Sequence, residues 1–285
     1  MSTLCLHHHD ADGRASGAIV RRALGQEVTM IEMDYGDPVP WESIDQASNV
    51  VIVDFSLPLK DMKRIADRRR LTWIDHHKTS IEEMKVAAED WPGIRQLDEA
   101  ACVLTWQHFF PDTPVPKAVV LIGDRDIWRW TEAQTGPFSE GLYQQDTSVD
   151  NEGLWEPLLD DDPKMVNQLI MKGSILRASQ LKIIRRKVAR YGQEIIFEGY
   201  RTLLVNDRGS GEMGDHINQL GYQIGYCYID NLQDGKLTTF ITLYSKEVDV
   251  SIIARKFGGG GHVGAAGFSF VREDTPFPPD ADISS

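Results

Sequence analysis

Residues 3–13 read Thr3-Leu4-Cys5-Leu6-His7-His8-His9-Asp10-Ala11-Asp12-Gly13. A short apolar run, Thr3 to His8, ends in imidazoles, carboxylates and a glycine, the pattern of a buried strand delivering polar side chains to the rim of a sheet. Alternate residues of an extended segment point the same way, so His8, Asp10 and Asp12 are expected to converge on one point, with Gly13 allowing a tight turn. Three histidines after Leu-Cys-Leu, inside a strand, are too few for an affinity tag.

The pattern recurs outward along the chain. Asp54 closes the apolar run from Asn49, and Ile74-Asp75-His76-His77-Lys78-Thr79 follows the run from Leu71. Gly123-Asp124-Arg125-Asp126-Ile127-Trp128 follows the apolar segment Ala118 to Ile122. Strands are expected at Thr3–His8, Glu27–Met33, Asn49–Phe55 and Leu71–Ile74, and helices at Gly17–Leu24, Leu59–Arg69 and Asp98–Phe110. This alternation predicts a parallel α/β sheet, and open sheets of that kind place ligands at the carboxyl ends of their strands.

The residue types in those clusters suit a metal site. Imidazole with carboxylate favours Mn²⁺ or a similar divalent ion, and a carboxylate beside a liganding histidine fixes its tautomer. A lone strand-end aspartate serves as often as a helix cap, so Asp54 gains meaning only from its neighbours. In the last cluster one aspartate could ligate while the other pairs with Arg125. Asp10, Asp12, Asp54 and Asp126 bring four negative charges, which two divalent ions would balance; without them the cluster would repel itself or take up protons. Two ions about 3.5–4 Å apart sharing Asp54 would activate a nucleophile and neutralise charge on a phosphoryl group.

Pro114 and Pro116, then the acidic break Asp160 to Pro163, punctuate the middle of the chain. From Lys164 to Tyr191 the positions of Met165, Leu169, Ile175, Leu176 and Ile183 fit one long helix joining two domains. Lys182, Arg185, Arg186, Lys187 and Arg190 near its end either face a cleft or complement the helix dipole in solvent. Beyond it, Ile195–Val205, Ile224–Ile229 and Leu237–Tyr244 are strand-like, Asp234-Gly235 reads as a hairpin turn, and Val248–Phe257 as a short helix. In Gly258-Gly259-Gly260-Gly261-His262 the absence of side chains lets backbone N–H groups approach a phosphate, while His262 adds a donor. Asn206 to His216 offers a second face to that pocket. The tail from Glu273, rich in Pro and Asp, is expected to be loosely ordered.

The 285 residues are 41% hydrophobic and 26% charged, the balance of an ordinary folded chain with room for two domains. No apolar run approaches the roughly 20 residues that span a bilayer, and no basic start precedes an apolar stretch, so a cytoplasmic protein with no membrane partner is expected. Cys5, Cys102 and Cys227 each lie in an apolar run outside any CxxC pair, which points to buried thiols. A formal charge of −13 opposes binding of long nucleic acid, whose phosphates must be neutralised. Small phosphorylated substrates suit it better.

Taken in order, HHDADG, VIVD, DHH and DRD resemble the motifs of the DHH phosphoesterases. Val248-Asp249-Val250-Ser251 followed by Gly258 to Phe268 is similar to the signature of the DHHA1 domain that accompanies DHH in nanoRNases, RecJ exonucleases and cyclic-dinucleotide phosphodiesterases. The resemblance covers the chain up to its tail. It implies a parallel-sheet DHH domain (1–150), a helical linker (151–191), a smaller α/β DHHA1 domain (192–272) and a flexible tail (273–285). It further implies that His8, Asp10 and Asp54 hold one metal and that Asp12, Asp54, His76 and an aspartate of DRD hold the other. Asp-x-Trp favours Asp126, with Asp124 as the alternative.

By the same resemblance His77 contacts the scissile phosphate or assists the leaving oxygen, Asp75 orients a histidine, and Gly259, Gly260, Gly261, His262 and Arg125 bind substrate. Related DHHA1 domains often carry an arginine on the strand before Val-Asp-Val-Ser, where this chain has Thr242 within Phe240 to Tyr244; Arg125, Arg129 or Arg208 could substitute. The function implied is hydrolysis of short oligonucleotides to 5′-mononucleotides with two Mn²⁺ ions, Mg²⁺ or Co²⁺ being alternatives. The rival readings are a cyclic-dinucleotide or 3′-phosphonucleotide hydrolase and a non-catalytic nucleic-acid-binding module. The partner expected is a short oligonucleotide or dinucleotide, with homodimerisation left open.

Overall fold

The chain divides into two units, Met1–Arg177 and Ala178–Ser285. The computed structural model describes residues 2–233, 236–272 and the backbone of 281–282. The expected turn at Asp234-Gly235 and most of the expected loose tail lie outside the described residues.

In the first unit β1 (Thr3–His8), β2 (Thr29–Met33), β3 (Asn49–Val53) and β4 (Arg70–Ile74) form a parallel sheet in the order β2-β1-β3-β4. The strands alternate strictly. Leu4 and Leu6 pack with Val50, Ile52, Leu71 and Trp73 on one face, while Cys5 packs with Val51, Val53 and Ile74 on the other. Both faces are therefore buried, as a parallel sheet requires.

The helices of this unit are α1 (Ala11–Leu24), α2 (Trp41–Gln46), α3 (Leu59–Ala66), α4 (Lys78–Val86), α5 (Ala101–Phe109), α6 (Lys117–Asp126), α7 (Thr135–Leu142) and α8 (Glu152–Leu159). Helix α1 starts six residues earlier than expected because Asp10 caps it, its carboxylate accepting the N–H of Gly13 at 2.9 Å. Gly13 is there for close approach: a Cβ would lie 2.4 Å from the carbonyl oxygen of His8. Ala118 to Ile122 proves helical as part of α6, so the fourth acidic cluster hangs from a helix end and not from a strand. Leu154, Trp155, Leu158 and Leu159 of α8 join the core of this unit, with Val166 and Leu169 from the next helix.

That helix, α9 (Pro163–Tyr191), opens on a proline, which suits a first turn, and contains the division between the units. The second unit has β5 (Gln193–Phe197), β6 (Tyr200–Asn206), α10 (Gly211–Gln219), β7 (Ile224–Gln233), β8 (Lys236–Tyr244), α11 (Val250–Lys256), β9 (Gly260–His262), β10 (Ala265–Val271) and β11 (Ala281–Asp282). Its mixed sheet runs β11-β5-β6-β7-β8-β10-β9, with β6 and β7 parallel. The single strand expected from Ile195 to Val205 is a hairpin, turned at Glu198 (φ 53°) and Gly199 (φ 82°). Two left-handed residues in succession match the twist of a two-residue turn. Among the described residues no helix is long and apolar enough to cross a membrane.

Candidate active site

Three parallel strands end side by side, and their ends carry the cluster. His8 is the last residue of β1, Asp54 follows β3, and Asp75-His76-His77 follow β4. His7, one step earlier, points the other way and is buried, with Gly17 of α1 against its ring. Asp12 arrives from the first turn of α1, and Asp126 from the last residue of α6. His8, Asp10 and Asp12 do not form one group as strand alternation predicts: Asp10 joins His8 and Asp54, while Asp12 joins His76 and Asp126, because the extended segment stops at His8, Asp10 is a cap, and Asp12 faces inward from a helix.

Ligand-type atoms of His8, Asp10 and Asp54 all lie within 4.8 Å of one another, and so do those of Asp12, His76 and Asp126. His8 Nδ1 is 3.1 Å from Asp10 Oδ2 and 3.7 Å from Asp54 Oδ2. His76 Nε2 is 3.3 Å from Asp54 Oδ1, 3.3 Å from Asp126 Oδ2 and 3.7 Å from Asp12 Oδ2. Asp54 thus sits between the two histidines. Asp12 is fixed by α5, whose first N–H groups, of Ala101 and Cys102, each donate to it at 2.8 Å. That use of the α5 start explains why the helix begins at Ala101 rather than at Asp98.

The electrostatics call for cations. Asp54 is 1% exposed, neither of its oxygens has a hydrogen-bond partner, and its backbone is left-handed at φ 63°. An unsatisfied, strained, buried carboxylate is costly, and it persists where something else compensates. Burial, reinforced by neighbouring carboxylates, pushes both Asp54 and Asp12 well above the usual carboxylate range. Asp126 is raised too, chiefly by burial. His8 moves to about 10, held protonated first by Asp10 and then by Asp54, with burial opposing. Carboxylates that gain protons beside an imidazole that keeps one describe a site short of positive charge, and divalent ions on these N and O donors fit it.

Beside the cluster stands a separate pair. His77 Nδ1–H donates to Asp75 Oδ1 at 2.7 Å, and Asp75 is fully buried. The hydrogen bond from Asp75 raises His77 above its ordinary value against the effect of burial. With Nδ1 engaged, Nε2 is the nitrogen left for another partner.

Asp124 and Asp126 take different parts. The Asp124 carboxylate accepts the N–H (2.9 Å) and hydroxyl (2.7 Å) of Thr131, the Glu132 N–H (3.3 Å) and the Thr135 hydroxyl (2.5 Å). It closes the loop that follows α6 and is turned from the cluster. Arg125 lines a small cavity of about 50 Å³ with Asp10, Asp12 and Asp126, its guanidinium 4.7 Å over the ring of Tyr143.

No protein-family model matches the chain. An uncharacterized protein, R106, of Acanthamoeba polyphaga mimivirus is 31% identical over 80% of this chain, which spans 55% of that relative's length. Oligoribonuclease NrnB of Bacillus subtilis is 22% identical over 93% of this chain and 72% of its own. Among solved structures, the pGpG-specific phosphodiesterase PggH of Vibrio cholerae superposes with a TM-score of 0.53 at 11% identity, covering 96% of this chain and 95% of that one. At that identity the superposition shows the fold. The chain shares that fold, and its ordered motifs resemble those of the DHH/DHHA1 proteins.

In the second unit the glycine run does two things other than those expected. The N–H groups of Gly258 and Gly259 close the end of α11, donating to Arg255 (3.1 Å) and Ala254 (2.9 Å), so they are not available to a phosphate. A Cβ on Gly259 would lie 2.1 Å from the Gly267 carbonyl oxygen, and one on Gly261 2.6 Å from Ala266 Cα: β9 lies so close to β10 that glycine is needed. Gly260 and His262 are exposed on β9. Gly258 and Gly259 also border a groove of about 640 Å³ lined by Arg208, Asn231, Thr242, Phe268 and Ser269. Arg208 and Thr242 therefore share one wall system, while Arg129 is paired with Glu99.

Sequence reasoning missed two residues of the first unit. Asp34, directly after β2, places Oδ1 3.4 Å from His8 Nε2, and Tyr35 sets its ring 5.8 Å from that of His8 and 6.0 Å from that of His77. The signal was present, since Met33-Asp34-Tyr35-Gly36 is another strand end with a carboxylate.

Proposed function

We propose that the chain is a divalent-metal-dependent phosphodiesterase that hydrolyses very short oligonucleotides to 5′-mononucleotides. The observation that carries this reading is Asp54, buried, unsatisfied and set between His8 and His76. His8, Asp10 and Asp54 would hold one ion and Asp12, Asp54, His76 and Asp126 the other, Mn²⁺ best matching the mix of imidazole and carboxylate. Two such ions, when bound, polarise a phosphoryl group and lower the pKa of a nucleophilic water.

The chain's own groups do the rest. His77, with Nδ1 engaged by Asp75, presents Nε2 to the leaving oxygen and donates a proton to it, the role its raised basicity suits. Arg125 stands beside the cluster as a phosphate contact. In the second unit the groove bordered by Gly259 would take a phosphorylated group, with Arg208 as the cation where related domains carry an arginine on the strand of Thr242. A net charge of −13 suits a substrate with few phosphates.

The test is turnover of end-labelled di- to pentanucleotides by purified protein with Mn²⁺. Mononucleotide release that stops on Asp54→Ala supports the reading. Absence of release, or cleavage of cyclic dinucleotides or 3′-phosphonucleotides alone, overturns it.

A further inference from the structure

The loop after Asp126 carries two tryptophans that the mechanism does not use. Trp128 is 79% exposed and Trp130 43%. Their rings meet edge to face, centroids 5.7 Å apart at 69°. Both have left-handed backbones, φ 55° and 53°, which bulky residues adopt only under constraint.

The constraint is visible. The carbonyl of Asp124 accepts the N–H of Arg129 (3.0 Å) and of Trp130 (3.3 Å), and its carboxylate gathers Thr131, Glu132 and Thr135. Arg129 is tied to the carbonyl of Asp98 and to Glu99. A buried aspartate thus clamps a strained loop in a form that holds an indole in water. Folding alone favours the reverse: a buried tryptophan and a glycine at positive φ.

The same loop continues from Asp126, whose Oδ2 is 3.3 Å from His76 Nε2, and from Arg125. The proposed metal ligand Asp126 and the proposed phosphate contact Arg125 therefore lie two and three residues from the exposed indole. Along a nucleotide, the phosphate leads to a sugar and the sugar to a flat base. An acidic chain gains little affinity from further phosphates, whereas stacking is independent of charge.

The geometry points to Trp128 as the platform on which a nucleobase of the substrate stacks, with Trp130 as the prop that holds its ring. The inference rests on the proposed oligonucleotide substrate. Trp128, the more exposed of the two, is the ring that offers surface to a base.

The experiment compares a 5′-phosphorylated dinucleotide with the same molecule lacking one base. For Trp128→Ala the ratio of kcat/KM on the two substrates falls about tenfold, the size of one lost stack. Trp130→Ala lowers it less. Trp128→Gly loses the same discrimination while raising Tm, because its φ suits glycine; a merely structural tryptophan would lower Tm. In chelator-treated protein, dinucleotide binding quenches tryptophan emission in the wild type and not in Trp128→Ala.

An unchanged ratio with an unchanged quench overturns the inference even if the wild type cleaves dinucleotides. So does loss of self-association in Trp128→Ala at an unchanged ratio, which would assign the indole to a protein contact. A wild type that shows the quench but releases no mononucleotide overturns the hydrolytic reading and leaves the stacking site standing.

Discussion

One oxygen of Asp75 organises the turn after β4: Oδ1 accepts Nδ1–H of His77 at 2.7 Å together with the backbone N–H groups of His76 (2.7 Å) and His77 (3.1 Å). A single buried carboxylate thereby fixes the direction of a residue placed among the ligands and of one placed beside them. His77→Ala is expected to lower kcat by roughly 10²–10⁴, the range for loss of a general acid. Asp75→Asn is expected to lower it roughly 10- to 100-fold, as loss of an orienting partner does.

The pH profile separates the two roles. Asp75 raises the pKa of His77, and in the proposed mechanism the protonated form is the acid, so activity is expected to decline as pH rises through that pKa. Without the carboxylate the decline moves to lower pH. A profile of kcat for Asp75→Asn that keeps its alkaline limb in place would argue against His77 as the donor.

Asp54 joins left-handed backbone to a buried carboxyl group without hydrogen-bond partners, and both are disadvantages in the metal-free protein. Asp54→Gly should raise the stability of that form by about 1 kcal/mol or more, from relief of strain alone. Added Mn²⁺ should then raise Tm of the wild type in proportion to its occupancy and leave Asp54→Gly unmoved. Thermal melts with chelator and with Mn²⁺ give both numbers. A variant that still gains Tm from the ion would place the ion elsewhere.

Asp124 gives an acid-sensitive contribution to stability. Burial opposes its ionisation, yet the hydrogen bonds from Thr135 and Thr131 hold it down to about 2. A depressed pKa stabilises the fold at pH above the unfolded value, near 4, and that contribution is lost as pH falls from about 4 through about 2. Asp124→Asn should therefore be less stable than wild type at neutral pH, by about 1–3 kcal/mol for the disrupted hydrogen bonds, with the difference narrowing in acid. Urea unfolding at several pH values measures it.

Arg208 is expected to act on binding alone. Arg208→Ala should raise KM about tenfold, the loss of one charge-assisted contact, with kcat nearly constant. Arg129→Ala, which removes a cation already paired with Glu99, serves as the comparison and should leave KM unmoved. Equal effects of the two substitutions would speak for a diffuse charge effect rather than a site in the groove.

Much of the first unit was legible because a two-sided parallel sheet writes itself as apolar runs ending in polar clusters; β1, β3 and β4 and the residues at their ends follow from that alone. Where helix and strand compete for a short apolar run, periodicity does not decide, which is why Ala118 to Ile122 does not by itself reveal α6. The early start of α1 depends on a cap hydrogen bond between Asp10 and Gly13, and the late start of α5 on donation to Asp12, a residue 89 positions away. The β5–β6 turn could have been read from Glu198-Gly199. The division of labour between Asp124 and Asp126 could not, because only the fold brings Thr131 and Thr135 to one of them. The same holds for the glycine run, whose N–H groups close α11.

All three cysteines are sealed inside the two units, and burial raises Cys5, Cys102 and Cys227, the last to about 12, so each stays a thiol at neutral pH. Reactivity toward alkylating dyes belongs to the exposed thiolate. The native chain is therefore silent to such reagents, and one cysteine introduced on the outer surface, at Val86 for instance (89% exposed), becomes a unique attachment point for a fluorophore without removing any of the original sulfurs.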